Sequence, residues 1–505
     1  MDETESSSRR VWRLSAILII LSVAIFSATQ WPLYPYFLDS YYHLGVIQGF
    51  QQTNGLVLHD FWEAAPEGRV HLYPPLFHLL WVPLARMGVP LLFMAKLWSW
   101  MGLPLLLLLA WIVFSEIATP RMACLSVLAL ATPYSFFLSA VNYAPANLVL
   151  AGALGLILAV LKKRWLAGGL LLGLTFLLHA GLPWLLAAGL ILYALIEPSF
   201  RKTVAATLSV GILAASPWLI HLGLHLHLLQ FHPRGEERML ETPILLVGLG
   251  LAGLWIAWRK KGAGERLLAA MAIGFLPMLA GYRFRFFSAQ GLFPFLILAA
   301  VAMDWLAQKI KRPVVILSAL SLILFFSPTI HWSAQGVRFV WADTTLSTLA
   351  GRPQVVPRAT AQPLFHKRLM GELAELVKRN SSPEDLIYCN LDYVGGILNV
   401  TTGRAITNEM LREMTQRPVE SQVAPAKLIV WVKDPSGESR AELEKLVQQY
   451  GLRSAGETEL AWVYVNPGGT GRRQIRKALL PWWVPLSGIA LSLWLLVRDL
   501  RRRCR

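Results

Sequence analysis

The chain runs to 505 residues, of which 55% are hydrophobic and only 15% charged, with 20 tryptophans. That composition lies far outside a soluble globular domain and specifies a polytopic membrane protein. The formal net charge of +17 resides in short basic clusters between apolar runs, not in a basic stripe interleaved with exposed aromatics, which argues against nucleic acid as a partner.

Crossing a hydrocarbon core of about 30 Å takes an apolar run of roughly 17 to 25 residues, and about twelve candidate runs follow one another along the chain. The first, 13–30, comes after "SSSRRVWR"; its apolar part, Leu14 to Thr29, has no small-x-small cleavage site and meets Gln30, Trp31 and Pro32, so it reads as a retained span. A half-polar stretch, 31–89, precedes the next runs at 90–115, 122–139, 147–161, 165–180, 182–197, 203–224, 242–258, 267–281, 286–306 and 313–330. Merging the fifth and sixth runs would invert everything after them. A second long segment, Ile330 to Ala478, leads to the last run at 479–498 and the tail "RDLRRRCR".

Lysine and arginine in short loops set the orientation. With Arg9, Arg10 and Arg13 inside, the clusters at Lys162–Arg164, Arg201–Lys202, Arg259–Lys261 and Lys309–Arg312 also fall inside. The stretch 31–89 and the segment from Ile330 to Ala478 then face outward, at the surface of the cell (plasma or inner) membrane. In the second segment "LAELVKRN" closes an amphipathic helix, while "DLIYCN", "KLIVWVKD" and "LAWVYVNP" read as strands. "SRAELEKLVQQYG" is a helix stopped by Gly451. Strand and helix in alternation predict a small α/β domain. The expected fold is therefore mainly α: a polytopic helical bundle over 1–331 with a functional first outer loop at 31–89, an extracytoplasmic α/β domain over 332–471, and a final helix with a basic tail over 472–505. No repeat of 20 to 50 residues is visible.

Cys124 falls in a span, Cys504 in the tail, and Cys389 alone in the outer domain, so no intrachain disulfide is expected outside and no zinc spacing occurs. The triplets "NSS" at Asn380 and "NVT" at Asn399 match the N-glycosylation pattern, a motif frequent by chance.

The first outer loop is richer than a connector needs. It opens on "FLDSYYHLGVIQGF" and continues "HDFWEAAPEGRVHLYPPLFH", so that Asp39, Asp60, Glu63 and Glu67 and His43, His59, His71 and His78 surround Arg69. An interfacial belt of aromatics with solvated acids would account for part of this. "DSYYH" directly after the first span, followed by "DFWEAAPEGRVHLYPPLF", resembles the first external loop of the catalytic subunit of oligosaccharyltransferases and, more broadly, of the GT-C membrane glycosyltransferases. "AAMAIGFLPMLAGYRFRFFSAQGLFPFLILAA", with "WIAWRKKG" before it, resembles that superfamily's late span, which begins with an Arg-Phe pair.

The resemblance implies an enzyme that moves a sugar or glycan from a polyprenyl-phosphate or pyrophosphate donor to an acceptor (protein, lipid or glycan) on the extracytoplasmic face. A non-catalytic relative binding lipid or a partner is the alternative. Asp39 takes the place of the first-loop acid, which activates the acceptor or contributes to a divalent metal site (Mg or Mn); Asp60 and Glu63 are further catalytic candidates. Arg283 takes the place of the arginine on the lipid-linked phosphate, with Arg285, His43 and Tyr42 as further candidates; a guanidinium fork matches phosphate oxygens and stays charged. Metal ligands would come from Asp39, Glu236 and Glu237. Where the oligosaccharyltransferases carry Asp-x-Asp, this chain reads "SAVNYAPANLVL", with Asn142 and Asn147. Their Thr-x-x-Glu loop corresponds to "QFHPRGEERMLETP", and their Trp-Trp-Asp motif is absent, since Trp482 and Trp483 open the final run.

Overall fold

The computed structural model describes residues 3–37, 39–230, 240–260, 262–308, 312–333, 336–341, 344–349, 368–410, 414, 417–433, 438–485, 487–488, 490 and 494. The long helix α1 (Glu3–Thr29) is followed by α2 (Asp39–Thr53), the two-residue strands β1 (Gly55–Leu56), β2 (His59–Asp60) and β3 (Arg69–Val70), and α3 (Leu76–Arg86). The bundle continues with α4 (Leu91–Ile117), α5 (Pro120–Ala131), α6 (Tyr134–Val141), α7 (Ala146–Leu161), α8 (Trp165–Leu178), α9 (Leu182–Ile196) and α10 (Arg201–Leu224). After β4 (Leu240–Pro243) come α11 (Ile244–Lys260), α12 (Ala263–Phe275), α13 (Met278–Gly281), α14 (Arg283–Ser288), α15 (Phe293–Ala307) and α16 (Pro313–Phe325).

Helix limits follow local chemistry. Thr119 caps α5 by accepting from the Met122 amide at 3.1 Å, and Pro120 occupies the first turn, where its missing N–H costs nothing. Pro133 separates α5 from α6, so the run expected at 122–139 is two short helices. Among the described residues five stretches are long and apolar enough to cross a bilayer: Ser7–Thr29, Leu91–Ile117, Pro198–Leu224, Ala263–Gly281 and Gln290–Ala307. Helices α5, α8, α9 and α16 are apolar but shorter. The last expected run starts on strand residues at Leu480 and Pro481, and most of its second half lies outside the described residues.

Close helix contacts reveal the directions. A Cβ on Gly169 would lie 2.5 Å from Val210 Cβ, and one on Gly173 would lie 2.8 Å from Ala214 Cβ, so α8 and α10 approach through small residues and run parallel. The chain between them, α9, therefore crosses back, and the runs at 165–180 and 182–197 are separate helices. Three ion pairs then mark one end of the bundle: Lys162 with Glu116, Arg266 with Glu197 at 2.7 Å, and Arg121 with Asp304 at 2.7 Å. They join the close of α7 to that of α4, the start of α12 to the close of α9, and the start of α5 to the close of α15. Every short basic cluster described in the bundle belongs to this end. Helix α15, buried from Phe293 to Asp304, is the centre of the core.

The opposite end carries everything else. β5 (Pro328–Ser333) and β6 (Gly336–Trp341) form a hairpin that adds to β4, and α17 (Thr345–Leu349) folds back on the α5–α6 break through its Thr345 amide and Thr132 O at 2.9 Å. The α/β unit then comprises α18 (Arg368–Arg379), β7 (Ile387–Cys389), α19 (Asp392–Thr402), α20 (Val419–Val423), β8 (Leu428–Val432), α21 (Glu438–Tyr450), β9 (Arg453–Glu457) and β10 (Ala461–Val465), with sheet order β7-β8-β10-β9. Alternation along β8 splits the core: Leu428, Val430 and Val432 join the larger apolar cluster with α18 and α19, while Ile429 and Trp431 face Leu443 and Leu446 of α21. Gly451, at φ 61°, ends α21 as expected. β11 (Leu480–Pro481) finally pairs with β1.

Candidate active site

Asp39 is the first residue of α2 and is exposed. The next residue, Ser40, is buried, and its hydroxyl donates to Asn142 Oδ1 at 3.2 Å. Asn142 closes α6 in an extended conformation, after which the chain turns through 107° into α7. Asn147 braces this corner from inside by donating to Ala140 O. First and second loops thus meet at the residue after Asp39.

Two further elements arrive at α6. Ser139 Oγ accepts from Gln290 Nε2 at 2.9 Å, just after α14, and α14 itself packs on α6 and β4. Arg283 heads α14, though its side chain lies outside the described part; Arg285 lies over the Tyr282 ring at 5.5 Å. The Arg285 charge reaches the imidazole of His179, which ends α8 and accepts from the Gly181 and Leu182 amides at 3.0 and 3.3 Å. His179 in turn meets Tyr73 edge-on at 6.2 Å, and Tyr73 touches both Tyr42 and His43 of α2. An aromatic and imidazole chain therefore connects the arginine helix to the helix that carries Asp39.

Tyr42 and His43 are buried. His43 Nδ1 and His78 Nε2 lie 2.9 Å apart, a bond that requires one donor and one acceptor, so at least the accepting ring is neutral. Burial favours the neutral form of both, lowering His43 to about 3 and His78 well below the usual range.

Asp60 and Glu63 stand in a separate network. Arg69 donates to Glu63 Oε1 at 2.7 Å and lies 3.9 Å from Asp60 Oδ2, while His71 Nδ1 donates to Asp60 Oδ1 at 2.7 Å. Glu63 Oε2 accepts from the Met410 amide at 2.7 Å. Burial raises the Glu63 carboxyl, with Asp60 adding to the rise and Arg69 opposing it. Around this network the first loop and the α/β unit share backbone bonds, from Ala64 N to Asn408 O at 2.8 Å and from Ile406 N to Trp62 O at 3.0 Å. Asn399, in the "NVT" triplet, is buried there and donates to Trp62 O and Arg404 O, which leaves its amide nitrogen closed to modification.

Among the described residues no group of three or more His, Cys, Asp or Glu side chains has the spacing of a metal site. Glu236, Glu237 and His232 lie outside the described residues. The Asn142 amide oxygen, bonded by Ser40 next to Asp39, is a weak ligand for a hard cation.

Sequence reasoning overlooked Ser40, Ser139, Gln290 and His179. His179 carried a signal, because an imidazole interrupting "TFLLHAGLPW" sits at membrane depth, where polar groups are costly. The serines and Gln290 carried none.

No protein-family description matches the chain, and no curated protein does. Solved structures do. ArnT from Cupriavidus metallidurans bound to undecaprenyl phosphate aligns with a TM-score of 0.58 at 15% identity, covering 92% of this chain and 99% of that one. The Archaeoglobus fulgidus oligosaccharyltransferase tethered to an acceptor peptide containing the NVT sequon gives 0.57 at 14%, over 89% and 74% of the two chains. AglB from Archaeoglobus fulgidus, in complex with an inhibitory peptide and a dolichol-phosphate, gives 0.56 at 12%, over 83% and 69%. At such identity the likeness is one of fold, and the fold is that of the polytopic GT-C membrane proteins with an appended sheet domain.

Proposed function

We propose that, on a fold it shares with ArnT bound to undecaprenyl phosphate and AglB in complex with a dolichol-phosphate, this chain is a membrane glycosyltransferase that moves a sugar or glycan from a polyprenyl-linked donor to an acceptor on the extracytoplasmic face. One observation carries this reading: Ser40, the residue after the exposed Asp39, bonds the Asn142 corner at the end of α6, and the arginine helix α14 packs on the same helix.

In this reading Asp39 takes the proton of an acceptor hydroxyl or amide as that atom forms its bond to the anomeric carbon. The carbon–oxygen bond to the lipid phosphate breaks, its electron pair stays on the phosphate oxygen, and Arg283 and Arg285 offset the charge. Ser40 and Asn142 hold the start of α2 against the second loop, which fixes where the carboxylate stands. Glu63 holds the first loop to the α/β unit through the Met410 amide, while Arg69 and His71 engage Asp60 and Glu63 within the loop. Tyr42 and His43 act as packing for α2 beneath the site. A divalent cation, if the reaction uses one, would be held by Asp39 together with Glu236 or Glu237, and would supply charge stabilisation to the departing phosphate.

The test is sugar release from a polyprenyl-linked donor by the purified protein and by Asp39→Asn, which removes a charge at nearly constant shape. Loss of a general base predicts a fall on the order of 10² to 10⁴ in rate with donor binding retained. Equal rates would overturn the assignment of Asp39 as the base, and donor binding with no turnover in either protein would leave a lipid-binding protein without transfer activity. The same assay with chelator and with added Mg or Mn settles the cation.

A further inference from the structure

The hairpin of β5 and β6 presents an apolar face that nothing in the chain's described part covers. Val337, Phe339 and Trp341 alternate along β6, so they share one face, and they are 55%, 63% and 70% exposed. Register places Ile330 beside Phe339 and Pro328 beside Trp341 on that face, whereas Thr329, on the other, is buried. Because β6 is the edge strand of the three-stranded sheet, this edge is unpaired among the described residues, and a flat apolar edge of that kind in water invites self-association.

We propose that this face rests in the interfacial layer of the bilayer leaflet at the end of α16. The hairpin starts at Pro328, with two residues between it and α16, whose Leu322 and Ile323, with Phe326 capping the helix, are 60%, 52% and 46% exposed on a segment too apolar to meet water. The exposed hairpin face continues that lipid-facing surface. Aromatic side chains concentrate at the headgroup boundary, and Phe339 and Trp341 supply them. The depth is bounded by the backbone: the free N–H and C=O groups of an edge strand cannot be satisfied in hydrocarbon, so the strand lies at the boundary, where water reaches its edge. Arg338, exposed on the opposite face, stays with the headgroups or water. The anchoring has a consequence for the site, because β4 joins this sheet to α14: a sheet seated in the leaflet fixes the height of the arginine helix above the lipid from which a phosphate would be taken.

The test uses the full chain in liposomes, with Cys504→Ser as background and an environment-sensitive fluorophore on Phe339→Cys or, on the opposite face, Arg338→Cys. Seating in the leaflet predicts a probe at 339 quenched several-fold more by spin-labelled lipid than the probe at 338, with iodide on both sides of the membrane reversing that order. Iodide reaching both positions equally would overturn the proposal. So would a probe at 339 shielded from both quenchers, which would give the face to the chain's own 350–367 stretch or to a second copy. Equal lipid quenching of both probes would also overturn it, as insertion of the label itself. Val337→Cys reports on the same face should position 339 not tolerate the substitution.

Discussion

His43 and His78 form a buried pair joined by a hydrogen bond in which at least the accepting ring is neutral. Both are held below the usual imidazole range in the folded chain, His43 at about 3, so protonation below about pH 6.5 occurs first in the unfolded chain. Stability from this pair is complete above that value and falls as pH drops toward the folded value, at about 1.4 kcal/mol per pH unit for each group. Glu63 works in the opposite sense: its raised carboxyl weakens the fold as pH rises from the ordinary carboxylate value through its own. The histidine share is therefore isolated as a difference. Thermal unfolding of the wild type and of His43→Leu/His78→Leu, measured from pH 8 to 5, should show a steeper acid loss in the wild type. Parallel curves would assign that loss elsewhere.

Elements divide by whether their oxygens and cations are free or engaged. The β2–β3 network is engaged and internal, so Arg69→Met, which leaves Asp60 and Glu63 buried without their cation, should cost about 3–5 kcal/mol of stability. Glu63→Gln keeps an acceptor for the Met410 amide and should fold with much of its transfer activity, in contrast to Asp39→Asn; a rate loss as deep as that of Asp39→Asn would move the chemistry to Glu63. Helix α14 is the element proposed to meet the lipid phosphate. Loss of a charged hydrogen-bonding partner worth about 1.5–3 kcal/mol predicts that Arg283→Ala weakens binding of polyprenyl phosphate by roughly 10- to 100-fold, with Arg283→Lys intermediate because it keeps charge and loses the fork. Wild-type binding in both would make Arg283 an ordinary interfacial charge. These elements were unevenly legible. Continuous apolar runs such as "KLIVWVKD" and a helix stopped by Gly451 announce themselves, because both faces of β8 are buried and Gly451 takes a positive φ. β9, "RSAGE", is half exposed at the sheet edge and has no such pattern. The acids of the first loop were visible as residue types, but their division into the exposed Asp39 and the enclosed Asp60 and Glu63 depends on Arg69, His71 and Met410, the last of them 347 positions from Glu63.

Across the whole molecule, the ion pairs at one end and the first loop and α/β unit at the other give the bundle a polarity that loop charge had already suggested. Short basic loops announce that polarity in sequence, whereas the bonds that make the first loop and the α/β unit one body join residues hundreds of positions apart, such as Trp62 and Asn399, and leave no local trace. Cys389, which a sequence reading would choose as a reporter of the outward domain, is fully buried in β7 and gives no label from either side. Gln449 on α21 and Ser199 between α9 and α10 are exposed at opposite ends and replace it. In a Cys504→Ser background, with Cys124 also buried, Gln449→Cys should react with an impermeant maleimide in intact cells and Ser199→Cys only after permeabilisation. The reverse pattern would place the α/β unit and Asp39 on the cytoplasmic side. A sugar donor would then have to be presented from within the cell, so the labelling decides which face of the membrane supplies both donor and acceptor.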